Sequence, residues 1–284
     1  KKSLEIIKKS NCKIIDLSNF EKKIKTEILT ETKSFSKILD ELWQNDSLFE
    51  KIFSIDSYNL WHSIKPVFML AEWEDPELLE KAFQADYNWS LYHILKDIAS
   101  GGKKVTDIRD YYENPKKKYP KKALKMNFLD NHDENSWNRV MIEHFGDKIY
   151  SLSTMLFLLP GIPMIYSGQE ARISKKLKFF EKDTIDWKNF PDGNFYKQLI
   201  EFRKKNSVFW SNNHTLEFLD GLPKDVVGYK RWDNDNTYFI IINLSNNFKE
   251  LDRGLLSGNL LMKDENSSSH FIAVNGYLVY EASN

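Results

Sequence analysis

The chain has 284 residues, 41% of them hydrophobic, which is enough to bury a substantial core and excludes general disorder. Forty-one Lys and Arg balance 41 Asp and Glu, so the formal charge is zero and a general nucleic-acid binder is not expected. The single cysteine, Cys12, excludes an intrachain disulfide and any multi-cysteine metal site.

Residues 1–63 carry apolar side chains mostly three and four apart between Phe20 and Phe53, and no glycine. That spacing predicts a helical, charged segment without the tight turns of β/α units. The chain opens on Lys1-Lys2 rather than Met, and Lys1–Ser10 has only a short apolar patch. This does not read as a signal peptide, so the sequence leaves the compartment open.

The texture changes at Lys65. Pro66 to Ala71 is an unbroken apolar run that stops at Glu72-Trp73-Glu74, the pattern of a strand buried on both faces of a parallel sheet. A helix is expected behind Pro76, a short strand over residues 82–87, and a helix through Ile98 ended by Gly101-Gly102. Residues 105–112 read as another helix. The PKKKYPKK stretch (residues 115–122) reads as a solvated basic loop.

Residues 123–129 predict a strand ending at Asp130-Asn131-His132-Asp133. An apolar helix over 147–159 precedes a short strand at 161–166 that runs into Ser167-Gly168-Gln169. The greasiest stretch, Leu152 to Tyr166, is too short to cross a bilayer and contains Pro160 and Pro163, so no membrane span is expected. A last amphipathic helix covers about 194–205. Beyond Ser207 the pattern becomes all-β, with strand candidates at 226–232, 237–244, 258–263 and 271–280, the last divisible into a hairpin at Asn275-Gly276.

Strand–helix alternation over 65–205 implies parallel β/α units, in which strand-end side chains converge on one rim. Three strand ends carry polar groups suited to chemistry: Glu72, Asn131-His132-Asp133 and Ser167-Gly168-Gln169. The expected fold is therefore α/β. Its expected parts are a helical segment (1–63), a layer of parallel β/α units (64–206) and an all-β domain (207–284).

In this order, PVFMLAEWEDPEL, FLDNHDENSW, LLPGIPMIYSGQEA and the KLKFFEKDTIDW-to-GYLVYEA tail resemble the α-amylase family of glycoside hydrolases. The segments look like that family's fifth, seventh and eighth barrel strands and its route into a C-terminal antiparallel β-sandwich. The resemblance implies an incomplete TIM-type barrel acting on α-glucans such as starch and maltooligosaccharides. It makes Glu72 the general acid/base and Asp133 the transition-state stabiliser, with His132 and Asn131 beside the sugar. Trp73 and Trp137 adjoin these motifs and offer rings for sugars to stack on. Glycosidic cleavage needs a protonated carboxyl at the leaving oxygen, and a glutamate closing an apolar strand suits that task.

The family's nucleophile lies in a segment resembling Gly-Phe-Arg-x-Asp at the end of the fourth strand, and that segment is not found. Asp46, after Trp43-Gln44-Asn45, and Asp56, after Ser54-Ile55, are the positional candidates, but neither carries the arginine. The first-strand motif and the calcium-binding protrusion of the family are also not found, so no metal or cofactor ligand is assigned. The expectation is a chain that binds an α-glucan or oligosaccharide and lacks turnover alone, a missing N-terminal barrel half being its possible complement. The other reading is a non-catalytic carbohydrate-binding or scaffold protein on the same fold.

Overall fold

The computed structural model describes residues 68–211, 214–252 and 258–282. The helical reading of 1–63 and the two candidate aspartates, Asp46 and Asp56, lie outside them.

Four short strands, β1 (Leu70–Ala71), β2 (Ala85–Tyr87), β3 (Leu124–Asn127) and β4 (Ile162–Pro163), pair in parallel in chain order. Ala71, Asp86 and Lys125 lie in one row across the first three, and Tyr87, Met126 and Ile162 in another. Each ladder is shorter than its apolar run. Phe128 and Leu129, for example, are buried beyond the end of β3. An unbroken apolar run reports burial on both sides, and burial continues where pairing stops.

Helices fill the connections. Between β1 and β2, α1 (Pro76–Lys81) starts with Asp75 accepting from the Glu77 N–H at 3.1 Å and with Pro76 in its first turn, where the missing N–H costs nothing. Between β2 and β3 lie α2 (Trp89–Ala99), followed by Gly101 at φ +82, and α3 (Thr106–Glu113). After β3 come α4 (His132–Trp137), α5 (Met141–Phe145) and α6 (Ile149–Leu158). Neither α4 nor α5 was expected. His132 and Asp133 therefore lie in the first turn of a helix, not on the strand itself. Gly161, at φ +118, leads into β4, and a Cβ there would come 2.3 Å from the Lys125 carbonyl oxygen. Only glycine allows that close approach. The final helix of this layer is α7 (Gly193–Lys205).

The rest is antiparallel. A five-stranded sheet has the order β5 (Thr215–Phe218), β6 (Val226–Trp232), β7 (Thr237–Asn243), β11 (Tyr277–Ala282), β9 (Gly258–Lys263); β8 (Lys249–Glu250) and β10 (Phe271–Ile272) form a separate pair. The bounds of β6 and β9 are those expected, whereas β5 and β8 were not foreseen. The expected hairpin at Asn275-Gly276 does not form. Asn275 does turn the chain at φ +50, but β10 pairs with β8 while β11 pairs with β7 and β9. The turn moves the chain between sheets.

Side-chain alternation explains how the layers meet. Val227, Tyr229, Ile240, Ile242 and Val279 share a core with α6 and the helical layer, whereas Val226, Ile241, Leu278 and Tyr280 pack with Leu251 and Ile272 beside the small sheet. Helix α6 is covered on every side, so its sequence is apolar all round rather than striped. Fully buried Arg231, on β6, donates to the carbonyls of Leu158, at the end of α6, and Val208, both at 2.6 Å. Arg203, on α7, donates to Phe157 and Gly161 at 2.5 and 2.7 Å. Two guanidinium groups thus satisfy carbonyls that the end of α6 leaves free.

Candidate active site

The loop after β1 and the first turn of α4 bring three predicted residues together. His132 Nε2 lies 3.1 Å from Glu72 Oε1 and 3.8 Å from Asp133 Oδ1. A ligand atom from each of the three lies within 4.8 Å of the others. All remain open to solvent, the Glu72 side chain at 53%. Sequence reasoning missed Tyr87, which ends β2 between the two strands that lead to them. Its phenol is raised above its ordinary value by burial first, then by the negative charges of Glu72 and Asp133.

The Glu72 loop is anchored through Glu74. One Glu74 oxygen accepts from the backbone N–H and hydroxyl of Ser90, both at 2.8 Å, at the start of α2. The other accepts from Lys125 Nζ at 3.0 Å. Lys125 also lies 2.8 Å from an oxygen of fully buried Asp86, whose carboxyl burial pushes up against the opposing pull of that lysine. The basic loop is not purely solvated: Lys117 donates to the Glu74 carbonyl at 3.0 Å, and Lys125 donates to the Tyr119 hydroxyl at 3.0 Å. Two stretches far apart in sequence therefore fix the loop carrying Glu72.

His132 and Asp133 are held from below. Asn131 is buried, and its Oδ1 caps α4 by accepting from the Glu134 N–H at 2.7 Å. Its oxygen therefore supports the turn rather than facing solvent. Glu134 accepts from the Tyr92 hydroxyl at 2.5 Å, with Lys96 and His144 at 4.0 and 3.9 Å. Buried Asp130 accepts from the Asn131 N–H at 3.0 Å and from the Asn135 side chain at 3.4 Å. Burial still pushes the Asp130 carboxyl up to about 7.

A raised carboxyl binds its proton more tightly folded than unfolded. Its stabilising contribution is therefore complete below the unfolded value of 3.8 and is lost as pH rises through about 7. Urea unfolding at pH 5 to 8 should show Asp130→Asn gaining roughly 2 kcal/mol relative to the parent across that window. A constant difference between the two proteins would refute this.

The third expected strand end behaves differently. Buried Gln169 donates to the Tyr196 hydroxyl at 2.6 Å and accepts from the Tyr166 N–H at 3.3 Å, so it braces the turn after β4. Trp73 and Trp137 are both well exposed, at 66% and 59%. Trp137 lies 5.2 Å, centroid to centroid, from the Phe179 ring, and that ring stacks on His132 at 5.6 Å. Among the described residues, Glu72, His132 and Asp133 are also the one group of His, Cys, Asp or Glu side chains close enough to share a metal ion. Exposed acidic groups commonly gather this way without one, and the imidazole is already engaged with Glu72.

Parallel β/α units with two carboxylates and an imidazole at one rim, followed by a β-sheet domain, define a partial-barrel architecture with an appended β domain. No protein-family model matches the chain. Alpha-amylase 2 of Dictyoglomus thermophilum is 24% identical to it over 231 residues, covering 73% of this chain and 40% of that protein. The fold resembles the crystal structure of an α-amylase from H. orenii, with a TM-score of 0.63 and 19% identity over 84% of this chain and 58% of that one. An Anoxybacillus α-amylase gives a TM-score of 0.65 and 18% identity over 81% and 56%. The chain thus spans well under two thirds of the length of each. Its fold is α-amylase-like, with the parallel sheet of a partial barrel and the C-terminal β domain of that fold.

Proposed function

We propose that this chain carries the acid/base and sugar-gripping part of an α-glucan hydrolase site. The observation that supports it most is the convergence of Glu72, from the loop after β1, with His132 and Asp133, from the first turn of α4, within 4.8 Å. On this reading Glu72 hands its proton to the glycosidic oxygen as the bond to the anomeric carbon breaks. Asp133 accepts hydrogen bonds from ring hydroxyls, and His132 donates to the same ring while holding Glu72 in place.

Retention also requires a carboxylate nucleophile roughly 5–5.5 Å from the acid, and it must differ from the one that grips the sugar. The described cluster joins Glu72 and Asp133 within 4.8 Å, and the positional candidates for a nucleophile, Asp46 and Asp56, lie outside the described residues. We therefore propose that the chain alone binds α-glucans without turning them over, and that activity needs a carboxylate brought to this rim from elsewhere, Asp46 and Asp56 included. A non-catalytic carbohydrate-binding role on the same fold is favoured by that same observation.

The test is an assay of starch and maltooligosaccharide hydrolysis beside calorimetric binding, with Glu72→Gln as control. Oligosaccharide binding is expected, with equal background rates for parent and variant. Turnover that disappears in Glu72→Gln would overturn the expected inactivity and direct attention to Asp46→Asn and Asp56→Asn. No binding of any α-glucan would overturn the reading itself.

A further inference from the structure

A cavity of about 480 Å³ opens between the start of α3 and the loop joining β5 to β6. None of the residues lining it belongs to the Glu72–His132–Asp133 group. Its volume lies within the roughly 300–1,000 Å³ of small-molecule sites. The walls are apolar: Val105 precedes α3, Phe218 ends β5, Leu219, Leu222 and Pro223 come from the loop, and Val226 opens β6. Phe218 supplies the one aromatic ring in the lining and is only 5% exposed, so the cavity offers no open ring face to a sugar.

Two features that are unfavourable by themselves shape this cavity. Gly228 sits inside β6, where glycine weakens a strand, and a Cβ there would come 2.5 Å from Leu222 Cδ1 and 3.2 Å from Leu219 Cδ1. The bare backbone lets both leucines close down as one wall. Asp225 turns the loop at φ +66, in the left-handed region that side chains disfavour, while its carbonyl accepts from the Leu244 N–H at 3.0 Å. That end of the loop is locked to the sheet. Nearer β5, the loop is tied to α3 by the Arg109–Asp220 ion pair at 2.5 Å, and Arg109 also bonds Glu113 at 2.8 Å. Both sides of the mouth are held before a ligand arrives, so binding is not weakened by the need to order them.

The charged lip sets the class of ligand. Lys104, Arg109 and Lys224 stand there against Asp220 and Asp225. Arg109 and Asp220 engage each other, whereas among the described residues neither the Lys104 nor the Lys224 ammonium has a carboxylate partner. Two uncommitted ammonium groups beside an apolar hollow suit a negative head on an apolar body. We propose that this cavity is a second binding site, independent of the sugar reading, for a small carboxylate with an apolar body about the size of a phenylalkanoic acid. The body fills the space between Val105, Leu222 and Val226, and the carboxylate accepts hydrogen bonds from the two lysines.

The experiment titrates the full chain with phenylbutyrate, phenylbutylamine and phenylbutanol, which share a body and differ in the head, and follows backbone amide chemical shifts. Shift changes centred on Val105, Asp220 and Gly228 are expected, with phenylbutyrate binding roughly three- to tenfold tighter than the alcohol and the amine weakest. A double variant, Lys104→Ala with Lys224→Ala, alters exposed positions only. It should bring the acid down to the affinity of the alcohol and leave the alcohol unchanged. Equal affinities for the three heads overturn the carboxylate assignment, as does an amine that binds tightest. An acid advantage that survives in the double variant also overturns it, since the lysines would not then hold the head. Shift changes centred elsewhere, or none with phenylbutyrate up to about 10 mM, overturn the site itself.

Discussion

Replacing Arg231 with alanine is expected to destabilise the fold by about 3–5 kcal/mol, a large share of the stability of an ordinary domain. Arg231 projects from the antiparallel sheet into the core shared with the helical layer, fully buried and without a carboxylate partner. Burial lowers its guanidinium to about 10, which still leaves it charged at neutral pH. Two carbonyls and the face of Phe209, with the guanidinium carbon 5.5 Å from the ring centre, compensate that charge. Alanine leaves both carbonyls unpaired and opens a cavity where the stem lay. Arg231→Met keeps the stem, so its loss should be smaller, about 1–3 kcal/mol. Urea unfolding at constant m-value measures both. A loss below about 1 kcal/mol for alanine would show that the two layers do not depend on this residue.

For His132→Ala the expected result is a 10- to 100-fold loss of maltooligosaccharide affinity, equivalent to one strong hydrogen bond at about 1.5–3 kcal/mol. The substitution removes the proposed sugar donor and the group 3.1 Å from Glu72 Oε1, and it leaves Phe179 without its stacking partner. His132 is partly exposed, so thermal stability should hardly change, which separates a binding defect from a folding one. Calorimetry with maltoheptaose is the measurement. Affinity within about twofold of the parent would remove His132 from the sugar site and weaken the α-glucan reading.

Much of this was legible in the chain itself. The apolar runs ending at Glu72 and before Asn131 revealed buried strands, because burial on both faces removes polar residues from a stretch whatever its neighbours are. Pro76 behind Asp75 and the two glycines after Ile98 marked helix ends through backbone chemistry that acts locally. What the periodicity could not show was α4, a helix of one and a half turns made of His132-Asp133-Glu134-Asn135-Ser136-Trp137. Its polar side chains form no stripe, and it starts where Asn131 can cap it.

Other features depend on contacts between distant residues. Nothing near Glu74 in sequence points to Ser90 or Lys125, nothing near Arg231 points to the end of α6, and Asn275-Gly276 looks like a hairpin turn until the strands beside it find other partners. The linear order of residues by itself determined which stretches are buried, where many of the strands and helices lie, and which side chains stand as candidates for the site. Only the tertiary structure decided that Glu72 meets His132 and Asp133, that Asn131 and Gln169 turn inward as supports, and that Phe179 stacks on His132. Burial and capping are properties of a short stretch of chain, whereas convergence is set by which strands pair and which loops those pairings bring together.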